Sequence, residues 1–155
     1  MARWENFHIW RGRLPHWRAE GVTYYATFRH RRELTEPECR LLLSNLLKPD
    51  GRRWSLIACA VLPGATEVIF EMAEDGELSD ILEKAKTRAG KAIIKASGER
   101  FPPFYQESYD RIIRDESELE ERLEAIIASP VNAELANDPE EYGCLYVANS
   151  PQNGS

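Results

Sequence analysis

Apolar positions recur along this chain with two periods, and these periods divide it into elements. "VTYYATFRH", Val22–His30, follows a glycine and is rich in β-branched and aromatic residues, which predicts a first strand. In "LTEPECRLLLSNLLK", Thr35 is the expected N-cap and Pro37 lies in the first turn. Leu41, Leu42, Leu46 and Leu47 then recur at helical spacing, so a first helix runs to a stop near Pro49–Gly51. Trp54–Leu62 and Glu67–Met72 read as two strands of a hairpin turning at Pro63-Gly64. In "LSDILEKAKTRAGKAIIKAS", Leu78, Ile81, Leu82, Ala85, Ala89, Ala92 and Ile93 mark the apolar side of a second helix, capped near Ser79 and ended by Gly98. The proline-started "FPPFYQESYDRIIRD" holds a short strand near Tyr109–Arg114, with Tyr105 and Tyr109 read as buried or half-buried aromatics. "DESELEERLEAIIAS" is a third helix with acidic residues at its positive end, and Pro130 is expected to stop it. A short turn and a last strand, "CLYVA", complete the pattern.

Strand, helix, strand, strand, helix, strand and an extra helix is the order of an α+β, ferredoxin-like split β-α-β fold, an antiparallel sheet with helices packed on one face. One domain over residues 1–148 is expected, with 149–155 as a disordered polar tail. The composition is that of a soluble globular protein, and no apolar run is long enough for a transmembrane helix, so no membrane association is expected. The N-terminus is too polar and aromatic for a signal peptide. The three cysteines, Cys39, Cys59 and Cys144, lie far apart without CxxC spacing, which reads as small core residues of a reducing, cytoplasmic compartment.

The net charge of −6 hides an asymmetry: residues 1–54 carry +5 and residues 55–155 carry −11. That is not the even basic coat of a protein governed by nucleic acid, yet it leaves room for a local basic patch. No Walker loop, GxGxxG, HExxH or GxSxG is present. His8, His16 and His30 have no metal-ligand spacing and read as surface or packing residues.

Three phrases narrow the function. "RGRLPHWRAEGVTYYATFR" resembles the opening of the REP-associated tyrosine transposases, of the HUH single-strand transposase superfamily. "FPPFYQESYDRIIRDESELE" is similar to their aromatic-Gln stretch and the Tyr-Asp/Glu-basic-x-x-Arg motif after it. "SPVNAELANDPEEY" resembles their Asn-Pro-Val-Lys-x-Gly segment and the Asp-Pro-x-x-Tyr beyond. The phrases stand in the right order and spacing from about Arg11 to Tyr142. The resemblance implies DNA cleavage and strand transfer: a His-hydrophobic-His motif on the third strand holds a divalent metal such as Mg²⁺ or Mn²⁺. A helical Tyr attacks the DNA phosphate, and an Asn one turn further on resembles the third ligand.

Laid on that scheme, Ala65 and Glu67 stand at the two histidines, Ala125 at the nucleophile and Ser129 at the third ligand. Ala125 offers only a methyl group, Ala65 has no lone pair, and one carboxylate with one hydroxyl makes a weak cation site. The implied catalytic groups are absent together, which predicts a transposase-like fold without the chemistry and without the cofactor. The four positions should converge around one empty pocket. A repurposed metal site from Glu67, Glu71 and Asp110 is a remoter alternative.

Two functions fit a chain without the chemistry. One is a module that binds single-stranded or hairpin DNA, using the interleaved Arg11, Arg13, His16 and Trp17, then Arg29, Arg31 and Arg32, with Lys84, Arg88, Arg111 and Arg114 extending the path. Lys86, Lys91 and Lys95 would lie along the same helix. The other is a protein-interaction or regulatory domain, and a homodimer would serve either function. Residues 107–141 carry 12 acidic side chains against Arg111, Arg114 and Arg122, a surface that repels phosphate and suits a basic partner.

Overall fold

The structure is a computed structural model that describes residues 22–48, 54–72, 78–105 and 107–148. Five strands form one antiparallel sheet: β1 (Val22–Arg29), β2 (Ser55–Val61), β3 (Ala65–Met72), β4 (Tyr109–Ile112) and β5 (Leu145–Val147), in the spatial order β4-β1-β3-β2-β5. Among the described residues, three α-helices complete it: α1 (Glu36–Leu47), α2 (Leu78–Ser97) and α3 (Glu116–Asn132).

Strand alternation sorts the core into two layers. Ala26, Phe28, Val68, Phe70 and Met72 point to one face and meet Leu42 and Leu46 of α1 and Leu82, Ala85, Ala89 and Ile93 of α2. Tyr25 and Ile69 point to the other face, where a β-bulge in β2 also brings the consecutive Ile57 and Ala58, and these meet Leu119, Leu123, Ile126 and Ile127 of α3. The one-face packing expected of the ferredoxin-like unit therefore holds for α1 and α2, while the extra helix covers the opposite face. The reason is burial: Ile57 and Ile69 are as apolar as their neighbours, so the second face also needs a cover.

Local chemistry accounts for the ends of the elements. Thr35 closes a capping box with Glu38, and Gly98 takes φ 78° past the end of α2. Ala92, read as part of the apolar side of α2, is exposed instead. Pro130 does not stop α3; the helix runs on to Asn132. A proline removes the N–H that would reach the carbonyl four residues back, and here the Ser129 hydroxyl donates to that Ile126 carbonyl at 2.7 Å. The turn then closes with Glu134 N donating to Val131 O (3.0 Å) and Leu135 N to Pro130 O (2.9 Å), a Schellman pair. No helix of the described residues is long and apolar enough to cross a membrane.

Candidate nucleic-acid interface

The pairing of β1, β3 and β4 fixes which side chains share the α3 face. Thr27 stands opposite Glu67 on one side and Tyr109 on the other, and Arg29 stands opposite Ala65. Directly paired residues share a face, so Arg29, Thr27, Tyr109, Ala65 and Glu67 form one neighbourhood on it. Asp110 pairs with Ala26, and so faces the α1 and α2 layer. The alternative metal site from Glu67, Glu71 and Asp110 is thereby ruled out, because period-two alternation puts the third carboxylate through the sheet from the other two. Among the described residues, no group of three or more His, Cys, Asp or Glu is placed to hold a metal ion.

Of the four positions singled out in the sequence, Glu67 and Ser129 have side-chain hydrogen-bond partners. Glu67 accepts a 2.7 Å hydrogen bond from the Tyr25 hydroxyl. The Arg122 guanidinium of α3 lies 4.6 Å from the Tyr25 ring centroid. Burial, and then the hydrogen bond to Glu67, push the Tyr25 phenol up to about 12. Tyr25 thus links Glu67 of the sheet to Arg122 of the helix. Arg122, Ala125 and Ser129 share a stripe of α3, with Ala125 exposed and the Ser129 hydroxyl committed to Ile126 O.

Beside this array, an irregular strand-like segment extends the sheet. Arg31 N donates to Pro103 O at 2.6 Å and Tyr105 N to Arg29 O at 3.1 Å, flanking a bridge between His30 and Phe104. His30 and Phe104 face the core, so Arg29, Arg31 and Tyr105 turn outward. Buried His30 lies between Pro63 O at Nδ1 (2.7 Å) and the Thr66 hydroxyl at Nε2 (2.9 Å), and burial lowers its pKa. It is a packing residue. The Arg31 guanidinium sits 5.9 Å from both the Phe101 and the Tyr105 ring centroids.

The result is an open recess of about 490 Å³ lined by Thr27, Arg29, Tyr105, Glu107 and Tyr109, among others. Tyr105 is 49% and Tyr109 59% exposed, which corrects the sequence reading of both as buried or half-buried. In an extended segment Phe104 and Tyr105 point to opposite sides, and the core takes Phe104. That alternation was the available signal. Buried Lys86 anchors the wall from behind: its Nζ donates to Tyr105 O at 2.7 Å and lies 4.7 Å from the Phe28 ring centroid.

The basic residues singled out in the sequence are thus sorted. Arg11, Arg13, His16 and Trp17 lie outside the described residues. Arg29 is exposed at the recess and Arg31 is exposed beside the Tyr105 ring, and neither is ion-paired among the described residues. Arg32 bridges Glu38 (2.8 Å) and Glu99 (2.6 Å) instead. Arg111 pairs with Glu118, and exposed Arg114 lies at the junction of β4 and α3, its backbone N–H bound to Glu118. Lys84 and Arg88 are exposed on α2, across the sheet from the recess, and Arg88 donates to Asn45 at 3.2 Å. Lys86 is buried, and so belongs to the wall rather than to a surface path.

Two solved structures share this fold. A REP-associated tyrosine transposase bound to a REP hairpin superposes with a TM-score of 0.67 at 17% identity, over 84% of this chain and 79% of that one. A candidate transposase from Deinococcus radiodurans R1 superposes with a TM-score of 0.50 at 9% identity, over 71% of this chain and 92% of its own. No protein-family model and no curated protein matches the sequence. The likeness is one of fold, and it agrees with the resemblance carried by the three sequence phrases.

Proposed function

We propose that this protein is a transposase-derived module that binds single-stranded or hairpin DNA and does not cut it. The observation that carries the reading is the composition of one sheet face. Where the transposase scheme needs metal ligands, this face has Ala65 and a Glu67 bound to Tyr25, and directly beside them it presents Arg29, Arg31 and two exposed tyrosines. Arginines meet phosphates while aromatic rings offer stacking surfaces to unpaired bases. The fold shared with a hairpin-bound transposase supports the choice of ligand.

The donors present do not fit a divalent cation, and no step is routed through one. Ala65 contributes nothing, the Glu67 carboxylate already accepts from a phenol, and Ser129 donates its proton to a backbone carbonyl. With a methyl group at Ala125, there is no phenolate for in-line attack. What remains is recognition: positive charge at the end of β1 and stacking surface from the segment before β4.

Anisotropy of a labelled hairpin with a single-stranded flank, titrated at two salt concentrations, tests the reading. The expected result is binding in the micromolar range or tighter that weakens as salt rises, because each neutralised phosphate releases counterions. In the same samples, Mg²⁺ or Mn²⁺ should produce no covalent protein–DNA adduct on a denaturing gel. Absence of binding at low salt would overturn the proposal and favour a basic protein partner for the acidic surface of α3, where Glu116, Glu121 and Glu124 are exposed.

A further inference from the structure

We infer that the recess between the end of β1 and the start of β4 takes one unpaired nucleobase, stacked on Tyr105 and Tyr109, with Arg29 at its phosphate and the Glu107 carboxylate on the N–H donors of its Watson–Crick edge. The inference rests on the DNA-binding reading and names what that surface selects.

Both rings are exposed yet held on ordered backbone. Tyr105 is fixed at its N–H by Arg29 O and at its carbonyl by Lys86, and Tyr109 is paired in register with Thr27. Exposed aromatics on a rigid frame present a stacking surface with little ordering entropy left to lose. The volume of about 490 Å³ lies within the range of small-ligand sites, the size of a nucleotide rather than of a duplex. A paired base hides both its faces and its Watson–Crick edge, so only an unpaired base can use such a recess.

Glu107 sharpens the chemistry. A site built for phosphate alone would be weakened by a carboxylate, so its place in the wall calls for a ligand with donors. The amino groups of cytosine, adenine and guanine supply them. Thymine offers a single N–H flanked by two carbonyl oxygens, which the carboxylate repels.

The test uses the full chain and short labelled single strands, one carrying 2-aminopurine. Fluorescence of 2-aminopurine should be quenched on binding. Oligo-dC should bind more tightly than oligo-dT by about five- to 150-fold, and E107Q should narrow that gap, since a carboxamide both donates and accepts. Y105A and Y109A should each weaken binding by about five- to 150-fold while leaving thermal melting unchanged, because both side chains are exposed. DNA binding with unaltered affinity in both tyrosine variants, without quenching, or equally well to duplex, would overturn the inference and leave the DNA-binding proposal standing. No binding of any strand at low salt would overturn both.

Discussion

Single residues show how a local rule is broken and mended. The Ser129 hydroxyl serves the Ile126 carbonyl that Pro130 leaves without a donor. S129A should cost about 1 kcal/mol in urea unfolding, as one lost hydrogen bond does. The same change in a P130A background should cost much less, because that substitution restores the backbone donor, and a double-mutant cycle reads the coupling. Arg32 acts across a longer span, joining Glu38 at the start of α1 to Glu99 beyond α2. Its guanidinium holds the Glu99 carboxyl at about 2, below the ordinary 4.5, and lowers Glu38 in the same direction. Depressed folded-state values contribute stability above pH 4.5 that is lost as pH falls toward 2. Melting temperature against pH should therefore fall more steeply over that window in the wild type than in R32A. His30 adds a second slope. Its folded-state pKa lies below 6.5, so stability should decline as pH drops from 6.5 toward that lowered value.

Among the elements, α3 departs furthest from its sequence reading. It ends in a Schellman turn whose left-handed position is Glu134, at φ 60°, rather than the usual glycine. E134G should raise stability by roughly 0.5–1 kcal/mol in denaturant unfolding, the relief of left-handed strain less the extra freedom of an unfolded glycine. The cap at Thr35, the hairpin at Pro63-Gly64 and the stop at Gly98 were legible because each rests on interactions within a few residues. The passage of α3 through Pro130 was not, since it depends on a side chain taking over the role of a backbone donor. Tyr105 was misread for a related reason: aromatic character suggests burial, but an extended segment can bury only alternate residues, and Phe104 took that place.

For the whole molecule, the separation of two sheet faces determines which charges act together. Arg29 lines the recess and Arg31 lies against the Tyr105 ring at its wall, whereas Lys84 and Arg88 lie on α2, across the sheet. R29A/R31A should therefore weaken DNA binding and flatten its salt dependence, while K84A/R88A should leave both near wild type, as read by anisotropy across a salt series. By itself the sequence determined the kinds of element and their order, because hydrophobic period, caps and turn residues act locally. It also determined that positions 65 and 125 carry no donor atom, since an alanine side chain has none in any fold. Tertiary structure alone decided where α3 sits, that Glu67 is bound by Tyr25, whose ring lies against Arg122, and which of the described arginines are left without a carboxylate. Those outcomes depend on pairing register and on competition among charges far apart in the chain: Arg32 and Arg111 found carboxylates, whereas Arg29 and Arg31 were turned by strand alternation toward two exposed tyrosines.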